Sequence, residues 1–380
     1  MSLQFLCAID SFKGCLNSRQ AADSVKQGIQ AAIPDAQVTT VAVADGGEGT
    51  VDALIYETNG EFVDTTVEGP LGDQISARYG ILPSGEAVIE MAAASGITLI
   101  SEDRRNPERT STFGLGQLIR HALQQGVRDF LIGIGGSATN DAGTGMLQAL
   151  GWKFLDRSGA VIQERGGQIL SRIADYSNSQ ADPRLKKCRF SVACDVDNPF
   201  FGPQGAAFVY APQKGADSKM VKRLDDGLKN LAAVIHAKQG LDVGTLPGAG
   251  AAGGLGGGFV AFLNAQLQSG IDLVLQAQNF DELILNADWI ITGEGKIDAQ
   301  TVSGKVVSGV ARHAQAYHVP VIALGGAVLE REALNRAGIT AAFAIQPGPI
   351  SLLKAMNPET ATDNLRQTAE QIARLLRVKQ

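Results

Sequence analysis

Short apolar runs that stop abruptly at a glycine or a carboxylate recur along the whole chain. Residues 5–9, 39–44, 130–134, 189–194, 289–292 and 319–324 are each apolar enough to be buried on both faces, as strands of a parallel sheet are. They break off at Asp10, Asp45, Gly135, Asp195, Gly293 and Gly325. Between them apolar residues recur at helical spacing: Ala21, Ala22, Val25, Ile29 and Ala32 behind a capping Ser18, and Leu224, Leu228, Leu231 and Ile235 within 221–239. Further helices are predicted at 51–57, 112–124, from Thr144, and at 259–267, 305–317 and 361–376. This alternation specifies an α/β protein with a doubly wound parallel sheet. Ligands of such sheets bind beyond the carboxyl ends of the strands, so six polar or glycine-bearing strand ends point to one binding cleft.

The texture changes between residues 61 and 91, where alternating runs are separated by Gly69-Pro70, Gly72-Asp73 and Pro83-Ser84-Gly85, the pattern of antiparallel hairpins. Residues 151–162 predict another hairpin, 176–184 a polar loop, and 247–258, dense in glycine, a loop or moving lid. The βα rhythm returns from Phe280. The expected organisation is therefore a first domain built from 1–66 and 280–380, with an α/β domain carrying the hairpins inserted at 67–279. A chain of 380 residues exceeds what one core usually supports, which agrees with two domains.

Charge and cysteine content narrow the function. The net charge is −6 with no basic block, which argues against a nucleic-acid partner. Cys7, Cys15, Cys188 and Cys194 show no metal-ligand spacing and read as buried, reduced thiols. No apolar run approaches a membrane span, and Asp10 and Lys13 interrupt the first run too early for a signal peptide, leaving the cytoplasm as the expected location. All four histidines fall within or at the ends of predicted helices, so a Ser-His-Asp hydrolase is not expected.

What remains is an inventory of glycines, carboxylates and lysines at strand ends. The stretch 135–145, with Gly135, Gly136, Ser137, Thr139 and Asn140, leads from a strand into a helix start, where free N–H groups favour an anion. Asp195 and Asp197, two apart at a strand end, suit Mg2+, and either could instead take a proton from an attacking hydroxyl. Asp45 and Glu48, and Glu294 and Asp298, offer the same oxygen-donor chemistry among glycines. Lys13, Lys214, Lys296 and Lys305 sit in or beside polar loops, where an ammonium can meet phosphate or a substrate carboxylate. Residues 248–253 match Gly-x-Gly-x-x-Gly, but no strand precedes them, so they are not read as a dinucleotide fingerprint.

Taken in order, Asp10-Ser-Phe-Lys-Gly14, Ala44-Asp-Gly-Gly-Glu-Gly-Thr50, the 135–145 stretch, Ala193-Cys-Asp-Val-Asp-Asn-Pro199, and Thr292-Gly-Glu-Gly-Lys-Ile-Asp298 with Gly304-Lys305 resemble the bacterial glycerate kinases. One departure is Ile9, where the resemblance leads one to expect proline. The resemblance implies a discontinuous Rossmann-like domain plus a second α/β domain with the site between them. It also implies ATP-dependent, Mg2+-assisted phosphorylation of D-glycerate, usually at the 2-hydroxyl. On that basis Asp10, Ser11, Lys13 and Arg78 are expected to bind glycerate, with Lys13 also catalytic. Gly135, Gly136, Ser137, Thr139, Asn140, Gly253, Gly254, Gly256 and Lys296 are expected at the ATP phosphates. Asp195 is expected as general base or, with Asp45 and Glu294, as a metal ligand. A kinase for another small hydroxy acid and a ligand-binding regulator without turnover are the rival readings, and a homodimer is left open.

Overall fold

The computed structural model describes residues 2–12, 14–44, 46–47, 49–298, 301 and 306–377. Lys13, Asp45, Glu48 and Lys305, all candidate site residues, lie outside them. Two compact units make up the chain, Met1–Asp45 with Ile271–Gln380, and Gly46–Gly270.

The first unit is built on a five-stranded, fully parallel sheet of order β13-β12-β11-β1-β2. Its strands are β1 (Gln4–Ile9), β2 (Gln37–Ala42), β11 (Trp289–Ile297), β12 (Val321–Val328) and β13 (Ala341–Ala344). Side chains alternate across a strand, and β1 uses both faces. Phe5, Cys7 and Ile9 join a core with Val25 and Ile29 of helix Ser18–Ala32 and Leu365 and Ile372 of helix Pro358–Arg377. Leu6 and Ala8 join another with Ile271, Leu275, Val307 and Val310. That two-sided burial is why the run 5–9 has no polar position. Gly28 lets the two helices of the first core touch, since a Cβ there would lie 2.1 Å from the Arg366 carbonyl oxygen.

The second unit carries a six-stranded mixed sheet of order β10-β9-β6-β5-β4-β3. Strands β5 (Ala87–Glu90), β6 (Asp129–Gly133), β9 (Arg189–Ala193) and β10 (Gln266–Gln268) run parallel, while β3 (Glu61–Glu68) and β4 (Gln74–Ile81) form the antiparallel hairpin that continues onto β5. The α/β class with one parallel sheet and one hairpin-bearing sheet is thus the observed fold. The units divide at Asp45/Gly46 and Gly270/Ile271, against 66/67 and 279/280 in the sequence reading. Packing accounts for the difference. A Cβ at Gly80 of β4 would meet Ile55 at 2.4 Å, so helix Thr50–Thr58 belongs with the hairpin, while Ile271 and Leu275 belong to the first unit's core.

Local expectations fare unevenly. Helix Ser18–Ala32 is capped by Asn17, whose side chain accepts from Gln20 N in a capping box, while Ser18 turns its hydroxyl to the Ile9 carbonyl. The hairpin expected at 151–162 is present in short form, closed by Asp156 N to the Ala160 oxygen and Ile162 N to the Phe154 oxygen (both 2.9 Å), while β7 (Lys153–Leu155) also pairs with β8 (Asp175–Ser177). Residues 293–297, expected as a loop, prolong β11 because β12 offers partners as far as Ile297–Val328. The largest correction is the glycine-rich segment: helix Ala251–Leu263 replaces the expected lid, and the helix expected at 259–267 ends at Leu263. Gly256, Gly257 and Gly258 are buried, and a Cβ on them would lie 2.4 Å from the Gly248 oxygen, 2.6 Å from the Phe200 ring and 2.1 Å from the Ala142 oxygen. Those glycines serve close packing. The four cysteines are free, as expected, but only Cys7 is fully buried, and burial pushes its thiol up to about 12.

Candidate active site

In the first unit, β1 and β11 pair in parallel as far as Ile9–Gly293, so Asp10, just past the end of β1, comes beside Glu294, which lies within β11 where that strand continues along β12. Asp10 N–H donates to the Gly293 oxygen (2.9 Å), and the Asp10 carboxylate accepts from Ser11 N (2.6 Å). Both carboxylates are buried. Glu294 accepts from the Thr301 hydroxyl (2.6 Å), which itself accepts from Asp298 N (3.0 Å). Lys296 is exposed and ion-paired with Asp298 at 2.9 Å. This end of the sheet gathers Asp10, Ser11, Glu294 and Thr301.

In the second unit, the carboxyl ends of β5, β6 and β9 carry Glu90, the 134–145 loop and Asp195. Gly46 lies directly over two of them. A Cβ at Gly46 would be 2.4 Å from the Ala193 side chain, one at Gly133 2.4 Å from the Gly46 oxygen, and one at Gly135 3.2 Å from Gly47 Cα. Backbone can approach this closely only without side chains. Glu90, not singled out from the sequence, accepts from Val51 N (2.9 Å) at the start of helix Thr50–Thr58, where a carboxylate complements the orphan N–H groups and the helix dipole. Burial nevertheless holds its carboxyl above the ordinary range.

Asp195 is exposed just beyond β9, and one carboxylate oxygen accepts from Gly270 N at 3.0 Å. Among the described residues no group of three or more His, Cys, Asp or Glu side chains is close enough to hold a metal ion. Mg2+ typically takes one or two carboxylates and completes its shell with water and phosphate oxygens, a donor role that Asp195 fits.

The 134–145 loop divides into two parts. Gly135 and Gly136 are exposed, whereas Ser137, Thr139, Asn140 and Asp141 are buried. Asp141 accepts from Thr112 N (2.9 Å) and its hydroxyl (2.9 Å), from Gly143 N (3.1 Å) and from Gly145 N (3.3 Å), which pins the loop to the starts of two helices. Burial raises its carboxyl above the usual range, against the lowering effect of those donors. On the other side Lys214, 1% exposed, donates to Ser137 Oγ and to the Thr139 carbonyl, both at 2.7 Å. Burial pushes its ammonium down to about 7.

The loop and the second glycine segment form one assembly. Ala142 N donates to the Gly253 oxygen (3.0 Å), and a Cβ at Gly253 would lie 2.1 Å from the Thr139 oxygen. Ala252, Gly253 and Gly254 all adopt positive φ, forming a left-handed kink that starts the helix. Both polar atoms of the Asn140 side chain, and Thr139 Oγ1, are buried without a hydrogen-bond partner. Such orphaned groups mark a backbone held in place by its surroundings. Arg78, by contrast, lies on the hairpin with its guanidinium held bidentately by Asp64 at 2.9 and 3.0 Å and stacked over Phe62.

One parallel-sheet unit and one mixed-sheet unit, each with polar or glycine residues at its strand ends, define an α/β protein of the open-sheet class. The glycerate kinase family model matches residues 5–377, and the chain belongs to that family. It is 48% identical to the glycerate kinase of Halalkalibacterium halodurans over 96% of each chain, and 44% identical to the glycerate 2-kinase of Escherichia coli K12 over 99% of this chain and 98% of that one. A solved structure from Salmonella typhimurium LT2, assigned to glycerate kinase 2, superposes with a TM-score of 0.90 at 42% identity, covering 100% of this chain and 99% of the other.

Proposed function

We propose that the protein transfers the γ-phosphoryl group of ATP to D-glycerate, at the 2-hydroxyl, giving 2-phosphoglycerate and ADP. Phosphoryl transfer rests on positioning and charge neutralisation more than on covalent chemistry, which suits an inventory of glycines, carboxylates and lysines. One observation carries the reading: the glycines after β6 leave backbone exposed at Gly135 and Gly136, and the exposed Asp195 follows β9, the strand paired in parallel with β6.

In this reading Gly135 and Gly136 meet the phosphates, and the buried Ser137, Thr139 and Asn140, with Gly253, Gly254 and Gly256, shape the cradle from within. Lys296 adds a cation at the phosphates. Lys13 is the ammonium assigned to the glycerate carboxylate and to offsetting charge on the transferred group, while Ser11 and Asp10 at the end of β1 contact the substrate's polar groups, Asp10 as an acceptor for a hydroxyl. Arg78 joins that set only by leaving Asp64. The hydroxyl oxygen of glycerate attacks the γ-phosphorus in line with the departing ADP oxygen, and Asp195 accepts the hydroxyl proton. Asp45, Asp195 and Glu294 are the carboxylates available to Mg2+, which when bound supplies positive charge to the phosphate oxygens.

The test is coupled ADP release from ATP and Mg2+ with D-glycerate, L-glycerate, other small hydroxy acids or no acceptor, followed by separation of 2- from 3-phosphoglycerate. D-glycerate-dependent release yielding the 2-isomer supports the reading. Turnover confined to another hydroxy acid replaces the substrate, and the 3-isomer replaces the regiochemistry.

A further inference from the structure

Lys214 stands out because an ammonium is among the costliest groups to bury. It ends the 3-10 turn Pro212–Lys214, is 1% exposed, and donates only to neutral acceptors, Ser137 Oγ and the Thr139 carbonyl, both at 2.7 Å. The charge that acts on it is Asp141, on the far side of the same loop. An apolar residue of similar volume would fill this position at less cost to stability. A lysine here is explained by what its two hydrogen bonds accomplish.

Both bonds fall on the root of one loop, either side of Ala138. The Thr139 carbonyl that accepts from Lys214 is also the atom against which Gly253 packs, with no room for a Cβ. The same carbonyl therefore joins Lys214 to the seam between the two glycine segments, which the Ala142 N–Gly253 oxygen bond also fixes. The loop also has reason to move if that contact is lost, because Thr139 Oγ1 and both Asn140 side-chain atoms are buried without partners and would gain hydrogen bonds by relaxing. Asp141 restrains the other end through Thr112, Gly143 and Gly145. Ala138 is tied separately, its N–H donating to the Ser95 oxygen (2.9 Å) and its oxygen accepting from the Thr110 hydroxyl (2.8 Å), and Ile97 N donates to the Gly136 oxygen (2.8 Å). Lys214 adds the bonds to the Ser137 hydroxyl and the Thr139 carbonyl, next to the unpartnered Thr139 and Asn140 side chains.

We propose that Lys214 is a positioning residue for the phosphate-binding loop: its buried ammonium ties Ser137 to the Thr139 carbonyl from beneath and so holds Gly135 and Gly136 exposed in binding geometry. The assignment rests on the reading above that this loop takes the ATP phosphates.

The experiment compares wild type with Lys214→Met, which keeps the stem and removes charge and donors. Three readings are made: thermal melting, hydrogen exchange of segment 135–141 in the ligand-free protein, and KM for ATP and for D-glycerate beside kcat. The expected variant melts no lower than wild type, exchanges faster in 135–141, and shows a KM for ATP raised on the order of tenfold, with KM for D-glycerate changed by less than about twofold. Wild-type exchange together with wild-type KM for ATP overturns the proposal and leaves Lys214 as filler. If Lys214→Met does not fold, Ser137→Ala, which removes one of the two acceptors and leaves the charge in place, decides by exchange: faster exchange in 135–141 supports the proposal and unchanged exchange overturns it. A wild-type protein with no ATP-dependent turnover on any hydroxy acid defeats the functional reading, while the exchange comparison still decides whether Lys214 holds the loop.

Discussion

Burial changes what Lys214 does with protons as well as what it holds. Its ordinary value of 10.5 is lowered to about 7, so across that window the folded chain binds fewer protons at this site than the unfolded chain. Stability therefore rises with pH from about 7 to 10.5 through this group, by up to about 1.4 kcal/mol per pH unit. Urea unfolding of Lys214→Met over that range is expected to show a flatter pH dependence than wild type, and identical slopes would contradict it. Asp195→Asn is expected to fold normally and to lose a factor on the order of 10²–10⁴ in kcat if Asp195 takes the hydroxyl proton; near-wild-type turnover removes it from that role. The position of Asp195 just past a strand was legible, because a carboxylate that ends an apolar run is visible in the string. It could not separate Lys214 from Lys296, since both follow the same polar-loop pattern and only the fold buries one and exposes the other. Nor could it reveal Glu90 as a helix partner, because the Val51 N–H it meets comes from a segment 39 residues away.

Elements were legible where one physical rule governed them. Two-sided apolar runs gave the parallel strands and the breaks at Gly69-Pro70 and Gly72-Asp73 gave the hairpin, because strand burial and turn chemistry are local. Helix Ala251–Leu263 was not legible, because glycine content signals flexibility in isolation and close packing only when the neighbours are known. Gly258→Ala tests that account: its Cβ would lie 2.1 Å from the Ala142 oxygen, so a loss of about 1–3 kcal/mol in unfolding free energy is expected. A flexible lid at this place would instead gain stability from alanine. Asn17→Ala removes the capping box of helix Ser18–Ala32 and is expected to cost about 1 kcal/mol by denaturant unfolding, whereas Ser18→Ala tests a different bond, to the Ile9 carbonyl.

At the scale of the whole molecule, each unit has its own sheet and core, so damage to one core should be felt within its own unit. Gly28→Ala forces apart helices Ser18–Ala32 and Pro358–Arg377, and is expected to speed hydrogen exchange in 2–44 and 271–377 more than in 46–270; uniform acceleration would contradict that independence. The expected boundaries differed from the contact division because helix Thr50–Thr58 continues the chain's βα rhythm and yet packs on the hairpin, a choice made by tertiary contacts. Family membership over residues 5–377 fixes the class of protein, and the chemistry proposed for it stands on one assay. With ATP, Mg2+ and D-glycerate, ADP release should require D-glycerate and the product should be 2-phosphoglycerate. ADP release unaffected by D-glycerate, or none with any hydroxy acid, would contradict the account.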